Sequence, residues 1–296
     1  MSDIGDLPPT EAVNALTRDM DLLATTELVE LLAREQRDAV ESVVAERHRI
    51  AEVVEMIATR LSNGGRLHYV GAGTSGRLGF LDASECPPTF GTTPEIVCAH
   101  IAGGREAILK AVEGAEDDRE AGAREMRDHA ASGDVVLGLS ASGSAPFVVA
   151  ALEAAKAKGA WTVAVTHNEG SDVARAAGTT IVLRTGAEPL AGSTRLRAGT
   201  AQKVLLNVIS TATMVRLNRV YGNLMVDVVA TNRKLRRRAL RLVMQLVHVD
   251  EHRASALLDA AGGNVKVAVV MERHNIDAKE AQSRLEASGG SLRAVL

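Results

Sequence analysis

The chain has 296 residues, of which 46% are hydrophobic and only 2% aromatic, and its formal net charge is −3. That length supports one large domain, or a medium domain with a small companion, around a core of Val, Leu, Ile and Ala. A nucleic-acid or anionic-membrane surface needs a basic excess, and single-strand binding needs stacking aromatics, so the composition argues against both.

The first 22 residues are polar and contain proline, and they predict an arm with at most short helix. Their start, MSDIGDLPPTEAV, lacks a basic region followed by an apolar run. No run of about 18 apolar residues occurs anywhere in the chain. The expectation is a cytoplasmic protein that spans no membrane. Residues 24–63 predict helix, because Val40, Val43, Ile50, Val54, Ile57 and Leu61 recur at steps of three, four and seven. Asn63-Gly64-Gly65 ends it.

Strands and helices then alternate. Arg66–Val70 predicts a strand running into Gly71, and residues 76–85 a helix stopped by Pro87-Pro88. Further strands are expected over Glu95–Ala99, Asp134–Leu139, Trp161–Thr166 and Thr179–Leu183. Helices are expected over 105–130, with Gly114 as a weak point, and over 145–158. This pattern predicts an α/β fold: a doubly wound parallel sheet flanked by helices, with ligands at the carboxyl ends of the strands. Residues 193–217 predict a long helix, apolar nearly all round and therefore buried centrally or at a subunit interface. The basic run Arg233–Arg238 reads as a solvated helix start. Residues 249–296 predict three short helices separated by Gly262-Gly263 and Asn275-Ile276-Asp277. The expected organisation is an N-terminal arm and helices (1–63), a sheet domain that includes the long helix (64–235) and a small helical C-terminal module (236–296). Cys86 and Cys98 are too few for a disulfide scaffold and fit no zinc spacing, so they read as reduced thiols and no metal site is expected.

Two loops carry chemistry. Gly71-Ala72-Gly73-Thr74-Ser75-Gly76 leaves a strand and enters a helix. Glycines permit the tight turn, exposed N–H groups and the helix N-terminus attract an anion, and two hydroxyls add donors. The spacing also fits the dinucleotide fingerprint, but that site wants an acid at the end of the second strand, where Ala99-His100 stand instead. Ser140-Ala141-Ser142-Gly143-Ser144 follows the third strand in the same way. Together the loops predict a cradle for a phosphate, with Gly73, Thr74, Ser75, Ser140, Ser142 and Gly143 as its residues. Glu85 sits at the expected end of the first loop's helix, where the dipole would raise its pKa and suit a general acid. Glu113, Glu116, Asp117 and Asp118 cluster around Gly114. A helix restarting there would favour their ionised form, which suits a general base. A surface glutamate at either place would look the same.

Three stretches make the chain recognisable: YVGAGTSGRLGFLDASECPPTFG (69–91), AVEGAEDDRE (111–120), and GSTRLRAGTAQKVLLNVIST (192–211) continuing into LNRVYGNLMVDVVATNRKL (217–235). They resemble the N-acetylmuramic acid 6-phosphate etherase family, whose members carry a sugar-isomerase-type (SIS) domain. The resemblance implies cleavage of the lactyl ether of N-acetylmuramate 6-phosphate to N-acetylglucosamine 6-phosphate and D-lactate, in cell-wall amino-sugar recycling. It implies a homodimer with no cofactor and no metal. It assigns catalysis to Glu85 and Glu116, with Glu113 as the runner-up base. Arg195 and Lys203 are weaker candidates for contacts with substrate or the partner subunit. Two positions depart from the family pattern. Ser142-Gly143-Ser144-Ala145-Pro146 stands where the family has Ser-Gly-Arg-Thr-Pro, and Gly186-Ala187-Glu188 where it has Gly-Pro-Glu. A SIS-type isomerase and a sugar-phosphate-sensing regulator are the rival readings.

Overall fold

The structure, a computed structural model, describes residues 7–229 and 232–296. Residues 1–6 of the expected arm and residues 230–231 of the last family-like stretch lie outside it. The chain divides into two compact units. One holds the described residues up to Ala83 together with Glu95–Ile209; the other holds Ser84–Pro94 together with the described residues from Ser210 to Leu296.

In the first unit the arm forms three short 3-10 turns, Pro9–Glu11, Ala15–Thr17 and Met20–Leu22. The helical stretch expected over 24–63 is three helices: α1 (Thr25–Arg34), α2 (Arg37–Ala45) and α3 (Arg47–Ser62). At the first break Glu35 turns its carboxylate inward. It accepts a hydrogen bond from Asn14 Nδ2 at 2.7 Å and pairs with Arg197 at 2.8 Å. Val43, Ile50, Val54 and Ile57 of the predicted stripe are buried, while Val40 is exposed.

The sheet is parallel throughout, in the order β2-β1-β3-β4-β5, with β1 Leu67–Gly71, β2 Val97–Ile101, β3 Val135–Leu139, β4 Trp161–Thr166 and β5 Thr179–Val182. Strands β1 and β3 are buried along their whole length, as a parallel sheet covered on both faces requires. β2 starts two residues later than expected. Its carboxyl end is His100-Ile101, which carries no acid.

Helix α4 (Gly73–Phe90) departs from expectation. It starts earlier than residue 76 and runs through Pro87 and Pro88 instead of stopping before them. Each proline removes one i→i−4 hydrogen bond from the last turns, yet the helix continues to Phe90 and Gly91 N–H closes its end on the Pro87 carbonyl at 3.0 Å. Glu85 is therefore inside the helix, not at its terminus. The single helix expected over 105–130 is also corrected. It is α5 (Glu106–Leu109), a 3-10 turn at Ala115–Asp117 and α6 (Arg119–His129). Lys110 is extended, Gly114 is left-handed at φ 69°, and the Asp118 carboxylate caps α6 by accepting from Ala121 N–H at 2.9 Å.

α7 (Pro146–Ala157) and α8 (Asp172–Ala176) complete the alternation. α6 lies tight on α7 because Gly122 lacks a side chain: a Cβ there would stand 2.0 Å from the Phe147 carbonyl oxygen. The long helix, α9, spans Arg197–Arg216. Its start is held by Glu188, whose carboxylate accepts from the N–H groups of Arg197 (2.7 Å) and Ala198 (2.9 Å). Leu205, Leu206, Ile209 and Met214 are buried, whereas Val208 and Val215 are 40% and 44% exposed, so part of its apolar surface lacks cover within one chain.

The second unit is helical beyond α9: α10 (Arg233–Val247), α11 (Glu251–Ala260), α12 (Val265–His274), α13 (Ala278–Ala287) and α14 (Leu292–Val295). The basic run does open a solvated helix, capped by the Asn232 side chain on Leu235 N–H. Val226, Leu242, Val243, Leu257, Val267 and Val270 build this unit's core. Buried Lys266 spans its loops by donating to the Asn218 and Gly290 carbonyls and to Asp227. Among the described residues no single helix is long and apolar enough to cross a membrane.

Candidate active site

In the order β2-β1-β3-β4-β5 the side on which successive strands are added reverses between β1 and β3, and such a switch point opens a crevice at the strands' carboxyl ends. A cleft of about 280 Å³ lies there. It is lined by Ala72, Gly73, Thr74 and Ser75 from the loop after β1, by Ser140, Ala141, Ser142 and Ala145 from the loop after β3, and by Glu116. The two loops converge because β1 and β3 are directly paired, Gly71 opposite Leu139.

Each loop has a steric and a polar reason for its shape. Gly71 must be glycine: a Cβ would meet Gly76 N at 2.6 Å. Gly73 takes φ +52° and starts α4. In the second loop Gly143 takes φ +79°, and a Cβ would stand 2.3 Å from the Ser171 side chain. Gly143 does not line the cleft but donates its N–H to Ser140 Oγ at 3.0 Å, closing the turn. Ser142 Oγ lies 3.0 Å from Ser144 Oγ. Asn168, past the end of β4, fixes this loop from behind: its Nδ2 donates to the Ser142 carbonyl at 2.9 Å and to Thr10 Oγ1 at 3.1 Å. Among the described lining residues there is no lysine or arginine. An anion in the cleft meets hydroxyls, backbone N–H groups and the N-termini of α4 and α7, whose partial positive charge favours it.

Glu116 sits on the 3-10 turn after Gly114. Crowding by protein and then the neighbouring Asp117 carboxylate push its carboxyl above the ordinary glutamate range. The helix start expected at this point lies further on: Glu116 is on a three-residue 3-10 turn, and α6 begins only at Arg119. Glu113, the alternative base, is exposed like Glu116 but does not line the cleft. Arg195 and Lys203 are exposed and do not line it either. Glu85 is exposed on α4 and belongs to the second unit. Being interior to its helix, it gains nothing from a terminal dipole, so that reason for an acid role falls away.

Sequence reasoning passed over several residues here. Glu11, Gly192 and Thr194 also line the cleft. Thr194 lies within the third family-like stretch, which was the available signal; Glu11 comes from the polar arm and carries none. Glu188 and Arg197 form a buried base beneath the α9 start. Arg197 donates to the carbonyls of Glu35 (2.6 Å), Thr185 (3.2 Å) and Ala187 (3.0 Å) and pairs with Asp38 at 2.8 Å. Burial raises the Glu188 carboxyl, an effect that its two N–H donors and Arg197 oppose.

The fold and the paired Ser/Gly loops define a SIS-type protein, and family models agree: residues 112–212 match the SIS domain, and residues 49–156 match the glucokinase regulatory protein N-terminal SIS domain. A protein of Symbiobacterium thermophilum named N-acetylmuramic acid 6-phosphate etherase is 51% identical over 85% of this chain and 84% of its own length. One of Geobacillus thermodenitrificans with the same name is 49% identical over 88% of this chain and 89% of its own. The chain belongs to the N-acetylmuramic acid 6-phosphate etherase family. Among solved structures, a phosphoheptose isomerase from Francisella tularensis is 17% identical, with a TM-score of 0.49 over 65% of this chain and all of its own.

Proposed function

We propose that the protein is a carbon–oxygen lyase that cleaves the D-lactyl ether of N-acetylmuramate 6-phosphate, giving N-acetylglucosamine 6-phosphate and D-lactate in the cytoplasm. The observation that carries this reading is the cleft at the β1/β3 switch point, where two Ser/Gly phosphate loops and Glu116 meet in a chain of etherase ancestry. An ether at carbon 3 is a poor leaving group. Opening of the sugar ring exposes an aldehyde at carbon 1, which acidifies the carbon 2 hydrogen. A base removes that hydrogen, the lactyl oxygen leaves carbon 3 as an acid protonates it, and water adds to the unsaturated aldehyde. Thr74, Ser75, Ser140 and Ser142 hold the phosphate, with Gly73 and Gly143 shaping the two loops around it. Glu116 is the base: a carboxylate with raised proton affinity is a stronger base. Glu85, matched by the SEC segment, is the acid for the lactyl oxygen. Incubation of the purified protein with N-acetylmuramate 6-phosphate and an assay for D-lactate tests the reading. An isomerase or a sugar-phosphate sensor would release none.

Phosphate is expected to be required. Unphosphorylated N-acetylmuramate should be turned over far more slowly, and Ser75→Ala should raise KM for the phosphorylated sugar, because Ser75 lines the cleft in the first turn of α4. Equal kcat/KM for the two sugars would refute the cradle.

We also propose that the active enzyme is a homodimer with shared sites. Val208 and Val215 leave apolar surface on α9 in need of cover. Light scattering should give twice the chain mass at assay concentration. A fully active monomer contradicts this.

A further inference from the structure

On the face of the sheet that carries α6, four side chains of the first unit stand in series. Asp134 Oδ2 lies 3.2 Å from His68 Nε2, His68 Nδ1 lies 3.0 Å from His100 Nε2, and His100 Nδ1 lies 2.9 Å from Glu125 Oε2. Every gap has hydrogen-bond length, so each needs a hydrogen. Two neutral imidazoles bring one N–H apiece and the carboxylates bring none, which leaves three gaps and two hydrogens. The anchored end decides where the shortage falls. Asp134 is fixed as an acceptor by the N–H groups of Arg66 and Ala131, both at 2.8 Å. His68, fully buried, therefore donates to Asp134 from Nε2 and accepts from His100 Nε2–H. His100 Nδ1 is left presenting a bare lone pair to the Glu125 carboxylate at a distance that only a cation between them makes favourable.

A third ligand stands at that gap. His129 Nε2 lies 3.8 Å from the same Glu125 oxygen, and one donor atom from each of His100, Glu125 and His129 falls within 4.8 Å of the others. Glu125 and His129 are four residues apart on α6 and so share one face. We propose that His100, Glu125 and His129 bind a divalent transition-metal ion of the zinc class, outside the catalytic cleft. Two imidazoles and one carboxylate suit a borderline ion and not magnesium or calcium, which want oxygen ligands. The His68–Asp134 pair behind His100 is the outer shell such a ligand needs, fixing its tautomer and raising its basicity. His129 is exposed, so water completes the coordination. The bound ion clamps β2 to α6, the elements at either end of the segment that carries Glu116.

Chelator-stripped, tag-free, full-length protein titrated with Co²⁺ tests this through the visible d–d absorption of a protein-bound ion. One Co²⁺ per chain is expected, displaced by Zn²⁺. His129→Ala, at an exposed side chain, and the near-isosteric Glu125→Gln should lose that absorption while keeping the wild-type circular dichroism spectrum. No saturable absorption in the wild type would mean that a proton fills the gap, and would overturn the proposal. Undiminished absorption in folded His129→Ala would overturn it equally.

Discussion

Glu116→Ala is expected to release no lactate and to leave the carbon 2 hydrogen unexchanged when substrate is incubated in deuterium oxide. Glu85→Ala should release lactate roughly a hundred- to ten-thousandfold more slowly, the usual loss when general-acid help is removed, yet still exchange the carbon 2 hydrogen. The difference follows from the sequence of bonds. Enolisation needs only the base and the phosphate cradle, both in the cleft; departure of the lactyl oxygen needs the acid as well. Proton NMR of substrate recovered from each variant reads both events. Exchange by Glu116→Ala with none by Glu85→Ala would reverse the roles. The raised affinity of Glu116 for a proton adds a pH signature. The base works ionised, so kcat/KM should fall as pH drops through a value above the ordinary 4.5 of a glutamate. An acidic limb at or below 4.5 would mean that another group is the base.

The second large effect concerns stability. Arg197→Met should destabilise the protein by about 3–5 kcal/mol, the cost of breaking a buried ion pair from one side. Arg197 is 6% exposed, and its removal strands the equally buried Glu35 carboxylate and three carbonyls that it now satisfies. Asn14 alone remains on Glu35. The urea midpoint should fall accordingly, with the loss smaller in an Arg197→Met/Glu35→Gln double variant because no uncompensated charge is then buried. A midpoint unchanged by Arg197→Met would show that water already serves this network.

These two cases mark where sequence reading reached and where it stopped. The phosphate loops were legible because their chemistry is local: glycine at a tight turn, hydroxyls beside it, and a helix start immediately after, as at Gly71–Ser75. Their meeting was legible too, since strand alternation implies a parallel sheet with its loops at one end. The state of Glu116 was not legible. It depends on how the segment after β2 folds back, and what reads as a long helix over 105–130 breaks into two helices and a turn. The end of α4 was not legible because Pro87-Pro88 is a strong stop signal in isolation, yet the helix runs through both to Phe90. The Arg197 network joins residues more than 150 positions apart to α9, and no periodicity announces such a contact. Family resemblance supplied Glu85 and Glu116 where local features left them level with ordinary surface glutamates.

Elimination followed by addition of water makes a claim about one oxygen atom. If the bond broken is between carbon 3 and the ether oxygen, lactate keeps that oxygen and the sugar takes its new hydroxyl from solvent. The reaction should therefore be run in ¹⁸O-water, with the label at carbon 3 read from the isotope shift of its ¹³C resonance, since oxygen at the aldehyde carbon exchanges on its own. The account predicts ¹⁸O on carbon 3 of N-acetylglucosamine 6-phosphate and none in the hydroxyl of D-lactate. Label in that hydroxyl with none at carbon 3, or no lactate at all, would contradict it.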